Sequence, residues 1–255
     1  MTDLAQVKLA VRPNPGVPFH IVHQDGEILV IDKPAGVVTQ PGKGHSSDSL
    51  LNGLFSRFGN LLHNMGEKRD YGLLHRLDKQ TSGLLVVAIR PRAYDELRAD
   101  FEKRMVEKEY LAIVSPRPAK PNGIVQARLR EITGDYKKVV ISPSGQDARS
   151  VYRTLSSSGN SALLAVIIKT GRLHQIRAHA KFIGAPVVGD SVYGSGKSAT
   201  TRICLHAAKL GFRHPATRQW RHFIAPLPAD MLAIAKSLNL SVPVEWCQNQ
   251  PPTER

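Results

Sequence analysis

Asp78 lies in the segment YGLLHRLDKQTSGLLVVA, residues 71–88, with His75, Arg76 and Lys79 close beside it and Thr81-Ser82-Gly83 just after. Cations this near a carboxylate favour its charged form, which a nucleophile or general base needs at neutral pH. The apolar run that follows predicts a buried strand, rigid enough to fix the carboxylate in place. The same residue types also build ordinary turns, in which Asp, Thr and Ser accept hydrogen bonds from nearby amides. Residue chemistry alone leaves both readings open, a reactive carboxylate or a turn cap.

A second constellation spans residues 170–194, TGRLHQIRAHAKFIGAPVVGDSVYG. Arg172, His174, Arg177, His179 and Lys181 crowd the start of a predicted helix, where free backbone N–H groups reinforce attraction for an anion. Arg177 is equally suited to be the permanent ion partner of a buried carboxylate. His174 and His179 are five residues apart, a poor spacing for one metal on a helix, and no Cys or acidic ligand adjoins them, so no metal site is expected.

The elements around these residues follow from pattern. HIVHQDGEILVIDKP, from His20, alternates as a hairpin turning near Asp25-Gly26. Residues 48–58 read as a short amphipathic helix capped by Asp48, and 92–105 as a second helix. Gly83 to Ile89, Lys108 to Val114 and Leu205 to Phe212 read as strands, with several short strands between 114 and 168. Gln175 to Ile183 reads as a helix stopping at Gly184. Strands and helices mix without a βαβ alternation, which predicts an α+β fold. The divisions expected are a leader over 1–18, a catalytic body over 19–235 and a tail over 236–255 that is loose at its end.

Composition narrows the partner. The chain has 255 residues, 35 Lys plus Arg against 21 Asp plus Glu, and a formal net charge of +14. Such an excess concentrates polyanions at the surface and favours a nucleic acid. No apolar stretch is long enough for a membrane helix, and the N-terminal residues lack the pattern of a signal peptide. Two cysteines, Cys204 and Cys247, form no CxxC pair and suit a reducing cytoplasm.

HRLDKQTSGLLVVA, KEYLAIV, TGRLHQIRAHAKFIGAPVVGDSVYG and LHAAKLGFRHP, in this order, closely resemble the RluA-type pseudouridine synthases. The opening DGEILVIDKPAGVVTQPG resembles the first catalytic segment of that family, so the likeness runs from about Ile21 to about Pro228. The resemblance implies a pseudouridine synthase catalytic fold, with mixed, largely antiparallel sheets forming two lobes around an RNA-binding cleft. It implies a cytoplasmic monomer that acts on structured RNA, ribosomal or transfer, with no metal, nucleotide or other cofactor.

The same resemblance implies roles. The family aspartate falls on Asp78 and the active-site tyrosine on Tyr110, whose ring would pack against the target uracil and would assist proton removal from carbon 5. The arginine paired with the aspartate falls on Arg177, with Arg172 as the alternative. Arg76 corresponds to the residue that enters the space left by a flipped base. His75, Arg172, His174 and Leu205 are expected to line the substrate site, Leu205 with a packing role as its alternative. Lys33 is expected to support the cleft or simply to end a strand. QDARSVYRTL, with Arg149 and Ser150, departs from the Lys-Ala-x-Thr pattern of many relatives, which puts RNA specificity in question rather than catalysis. The leader is too short for the extra RNA-binding domain some relatives carry.

Three rivals are weaker. Gly194-Ser195-Gly196-Lys197-Ser198 imitates the end of a phosphate-binding loop, but Ser191 stands where its first glycine belongs. A glycoside hydrolase would need a second carboxylate motif, and Asp190 reads better as a turn residue. A catalytically idle RNA-binding module would share the charge but has no use for an Asp–Tyr–Arg set.

Overall fold

The computed structural model describes residues 11–133, 137–194, 200 and 202–248, with the backbone of 253–254. The strands are β1 (His20–Gln24), β2 (Ile28–Lys33), β3 (Ser82–Ala88), β4 (Glu107–Val114), β5 (Asn122–Gln126) and β6 (Leu129–Ile132), then β7 (Lys138–Ile141), β8 (Arg149–Ser158), β9 (Ser161–Ile168), β10 (Leu205–Arg213), β11 (Trp220–Ile224) and β12 (Thr253–Glu254). Among the described residues they are accompanied by the α-helices α1 (Leu50–Met65), α2 (Pro91–Glu102), α3 (Gln175–Phe182) and α4 (Ala229–Ser237).

Among the described residues, one ten-stranded sheet runs β1-β2-β3-β10-β4-β9-β8-β5, with β11 added on β10 and β12 on β11, while β6 and β7 form a separate ribbon. Among the described strands only β3 and β10 pair in parallel, so the α+β, largely antiparallel architecture is the one expected. β3 is buried along its whole length, as an uninterrupted apolar run requires. Gly83 explains how it fits beside β10. Its φ is +116°, and an added Cβ would fall on the Ala207 backbone, so only glycine lets the two strands close directly beneath the Asp78 loop.

The predicted hairpin is present, and Asp25 makes its turn by accepting the amides of Glu27 and Ile28 at 2.8 and 2.9 Å. The first helix corrects the expectation for 48–58. Its cap is Ser49, which forms a capping box with Asn52, and the helix continues to Met65 through a kink at Phe58. A Ser–x–x–Asn box satisfies two terminal donors at once, which a lone Asp48 cannot do. β11 and α4 are additions to the reading, and α4 runs through position 235, where a boundary was expected. Beyond it Leu240 and Trp246 still pack into the core.

Candidate active site

Asp78 is held by its neighbours' backbone. The hydroxyl of Thr39, itself buried, donates to the Leu77 carbonyl at 2.8 Å and accepts the Leu77 amide at 3.1 Å. Gly36 N–H donates to the Lys79 carbonyl at 2.8 Å. The fully buried Lys33 ammonium donates to the Pro34 and Val37 carbonyls, both at 2.8 Å, and to Lys79 at 3.4 Å. Burial pushes Lys33 down to about 7, against the attraction of the Asp78 charge. On the far side, Arg202 donates to the Gln80 carbonyl and the Ser82 hydroxyl, both at 2.6 Å. The segment Lys33–Thr39 therefore clamps the residues on both sides of Asp78.

Thr39→Val keeps the shape and deletes both bonds to Leu77, leaving a buried amide unpaired at a cost of about 1–3 kcal/mol. A shift of the adjacent carboxylate by a fraction of an ångström should lower kcat by roughly 10-fold or more with little change in KM. Thr39→Ser should recover most of it, and equal rates for Val and Ser would show that the clamp does not position Asp78.

The Asp78 carboxylate meets Arg177. Nη1 of Arg177 donates to Asp78 Oδ2 at 3.1 Å, while Nε and Nη2 donate to Asp190 at 2.6 and 2.9 Å. Asp190 turns its Oδ1 to the amides of Val192 and Tyr193 as well. It is the turn residue expected and also the second carboxylate on the same guanidinium. The Tyr193 ring lies 5.2 Å under the Arg177 guanidinium. Burial pulls Arg177 down, but the Asp190 bonds and the two carboxylate charges outweigh it and its pKa is raised. Burial works to raise Asp190, and the Arg177 bond and charge bring it down on balance. Side-chain exposure separates the two carboxylates: 24% for Asp78 and 0% for Asp190. Only Asp78 is open to a ligand. Arg172 instead donates to the Asp147 carbonyl at 3.3 Å, so of the two expected partners Arg177 is the one in contact.

A cleft opens over Asp78. Tyr110 of β4, Ile168 of β9, Ile176 of α3 and Leu205 of β10 give it apolar walls, and Arg76, Arg172 and His174 stand at its polar side. Burial, and then the Asp78 charge, push the Tyr110 phenol up, so it is protonated at neutral pH. His174 holds a left-handed backbone, φ 50°, at the start of α3, with Nε2 at 3.7 Å from Asp78 Oδ2 and Nδ1 at 3.2 Å from the Tyr193 hydroxyl. Burial lowers its pKa against the pull of Asp78. A non-glycine residue in that conformation at a cleft is strained backbone held by its surroundings. Among the described residues, Asp78 is the only carboxylate lining the cleft, which leaves the paired-carboxylate hydrolase without its second acid.

His75 lines the groove adjoining this cleft rather than the cleft itself; its Nε2 accepts the Val86 amide at 3.1 Å and its ring packs on Phe101. That nitrogen is committed to holding β3, and burial pushes the imidazole down to about 3. His206, between the Ser82 hydroxyl and the Ala225 carbonyl, is likewise pushed down to about 4, chiefly by burial. Both are neutral when folded, whereas the unfolded chain takes up their protons as pH falls below 6.5. Stability is therefore expected to fall with pH from 6.5 towards about 4 and 3, where the loss from each ends. Urea unfolding should show a decrease on the order of a few kcal/mol between about pH 7 and about pH 5. Equal midpoints at the two pH values would contradict neutral burial of these rings.

Thr39, Arg202, Asp190 and Tyr193 belong to the site although their functional roles were not read from sequence. Asp190 and Tyr193 sit inside the GDSVYG end of the second constellation, and Thr39 in GVVTQPG, so proximity to motif residues was a usable signal; Arg202 carries none. Of the phosphate-loop imitation, residues 195–198 lie outside the described residues.

The comparisons with known proteins agree with one another. A family described as RNA pseudouridylate synthase matches residues 27–182. An uncharacterised RNA pseudouridine synthase of Chloroflexus aurantiacus is 41% identical over 81% of this chain and 65% of its own length. The ribosomal large subunit pseudouridine synthase D of Zymomonas mobilis is 37% identical over 88% of this chain and 74% of its own. The chain thus spans roughly two thirds to three quarters of these two relatives. Among solved structures, human RNA pseudouridylate synthase domain containing 4 superposes with a TM-score of 0.70 at 27% identity, covering 88% of this chain and 94% of that one.

Proposed function

This chain belongs to the RNA pseudouridylate synthase family, whose members isomerise uridine to pseudouridine, and we propose that it does so in structured RNA with Asp78 at the reacting centre. The observation that carries the reading is the one open carboxylate of the cleft, on a buried guanidinium and beside an aromatic wall. Ribosomal RNA is the first substrate to test, because the Zymomonas mobilis relative is named for the large ribosomal subunit; transfer RNA is the second.

The reaction breaks the bond from C1′ to N1 of uracil and forms one from C1′ to C5, while the C5 proton leaves and N1 gains one. No electrons are exchanged with a partner, so the chemistry asks for position and charge. A stacked base cannot reach Asp78, so the target nucleotide must leave the helix at a cost of a few kcal/mol. Arg76, exposed at the mouth of the cleft, is the side chain to occupy the vacated space. Asp78 either attacks C1′ or removes a proton from the adjoining ribose carbon. Arg177 aims the carboxylate through a guanidinium that Asp190 already holds. Tyr110 and Leu205 clasp the flat uracil ring during its turn. Tyr110 enters as a neutral phenol, so it can accept the C5 proton only by releasing its own. The enzyme works as a cytoplasmic monomer.

The test is direct. Purified protein is incubated with unmodified ribosomal and transfer RNA transcripts, and pseudouridine is mapped at single-nucleotide resolution. New pseudouridine at defined positions supports the reading. Binding to both RNAs without any pseudouridine would favour the idle RNA-binding module instead.

A further inference from the structure

A second groove continues outward from the Asp78 cleft, with which it shares Arg76, Tyr110, Ile168, Gly171 and Arg172. Its cations are Arg76, Arg98, Arg104, Lys108, Lys169 and Arg172, and its one carboxylate among the described residues, Glu102, is taken by Arg98 at 2.9 Å. Strand geometry builds this arrangement. Lys108 and Tyr110 are two residues apart on β4 and share a face, and Lys169 follows Ile168 directly at the end of β9. The register pairs Glu109 with Ile167, which brings the outer ends of these strands side by side.

Lys108 is the anomaly. The residue is half-buried, its ammonium 5.4 Å over the Phe101 ring, with no ion partner among the described residues. Burial, then the charge of Lys169, push it down to about 8. A fold gains nothing by desolvating one ammonium and setting a second beside it unless an anion completes the group. The step from Tyr110 to Lys108 is roughly 7 Å along the strand, comparable to the distance from one nucleotide to the next.

We propose that Lys108 and Lys169 jointly hold one phosphodiester of the RNA strand, adjacent to the nucleotide in the Asp78 cleft. The occupant being RNA rests on the function proposed above; the unpaired cations do not. Arg104 and Arg98 continue the same track outward, and Arg76 and Arg172 mark its inner end.

The test uses a synthetic stem–loop RNA with a uridine-rich loop, bound to the full chain across a series of salt concentrations. The proteins compared are wild type, Lys108→Met, Lys169→Met, the double variant, Lys108→Arg and Arg153→Met. Met preserves the aliphatic stem on Phe101, and Arg153 is an exposed cation paired with Glu109 outside the groove. One lost phosphate contact should reduce the slope of log K against log salt by about 0.7, with affinity falling about 5-fold at low salt. Because both lysines serve one phosphate, the double variant should lose little more slope than either single. Lys108→Arg should bind as wild type, and Arg153→Met should keep the slope.

An unchanged slope in the double variant would overturn the proposal, as would an equal loss in Arg153→Met. So would an inorganic phosphate site that the double variant abolishes while its RNA slope stays intact. No turnover enters these measurements, so the two readings fail separately. Pseudouridine formation with an unmoved slope sinks the phosphate site alone, and the predicted slopes without pseudouridine sink only the proposed activity.

Discussion

Asp78→Asn is expected to abolish pseudouridine formation, by roughly 10⁴-fold or more, while the protein stays folded and keeps most of its RNA affinity. The amide has the size of the carboxylate, and its oxygen can still accept from Arg177 at the same place. What it lacks is the charge and the basicity that either route at the ribose requires. Removing the charge is mild for the fold, because Asp78 is partly exposed and Asp190 remains on Arg177 to neutralise it. A stability change within about 1 kcal/mol is expected, in keeping with a partly solvated ion pair. The measurement is pseudouridine per RNA after long incubation, beside a binding curve for the same RNA. Retained turnover at even one hundredth of the wild-type rate would remove Asp78 from the centre of the reaction. Lost RNA binding with a normal fold would make it a docking residue.

How much of this was legible before the fold was known differs by residue. β3 was readable because an apolar run of this length has few other fates, and Asp78 before it was conspicuous for its cationic neighbours. Gly184 ended α3 as predicted, in a backbone conformation that glycine tolerates. Arg177 could not be separated from Arg172 by spacing, since both lie in one segment and the choice depends on a contact across 99 positions of sequence. His75 reads as a ligand for substrate because it stands three residues before Asp78. In the fold its Nε2 is taken by the Val86 amide, a contact 11 positions on that nothing next to His75 in the sequence announces. Thr39 was hidden for another reason. A threonine in an extended segment is unremarkable until the chain folds its hydroxyl onto one backbone unit, and nothing local announces that unit. The Ser49 cap was missed by one position because Ser47, Asp48 and Ser49 are neighbours and all are competent caps; Asn52 three residues on was the deciding mark.

The companion substitution, Arg177→Met, should damage the protein twice, and the two injuries can be separated. Arg177 is shared between a carboxylate that faces the cleft and one that faces nothing but protein. Its loss leaves Asp190 with two backbone amides and no counter-charge at full burial. Removing one partner of a buried pair costs about 3–5 kcal/mol, a large part of the total stability of a domain. Lower urea midpoints with an unchanged m-value are expected. Turnover should fall by roughly 10²-fold or more in protein that remains folded, since Asp78 loses its aim. Adding Asp190→Asn removes the stranded charge and should return part of the stability, yet it cannot restore the bond to Asp78, so activity should stay low. Arg177→Lys tests the geometry rather than the charge. One ammonium cannot present the separate donors that Asp78 and Asp190 each receive, and a retained fold with depressed kcat is expected. If the Met–Asn double variant recovered turnover along with stability, Arg177 would be a scaffold residue, and the aiming of Asp78 would fall to the clamp of Thr39 and Lys33 alone.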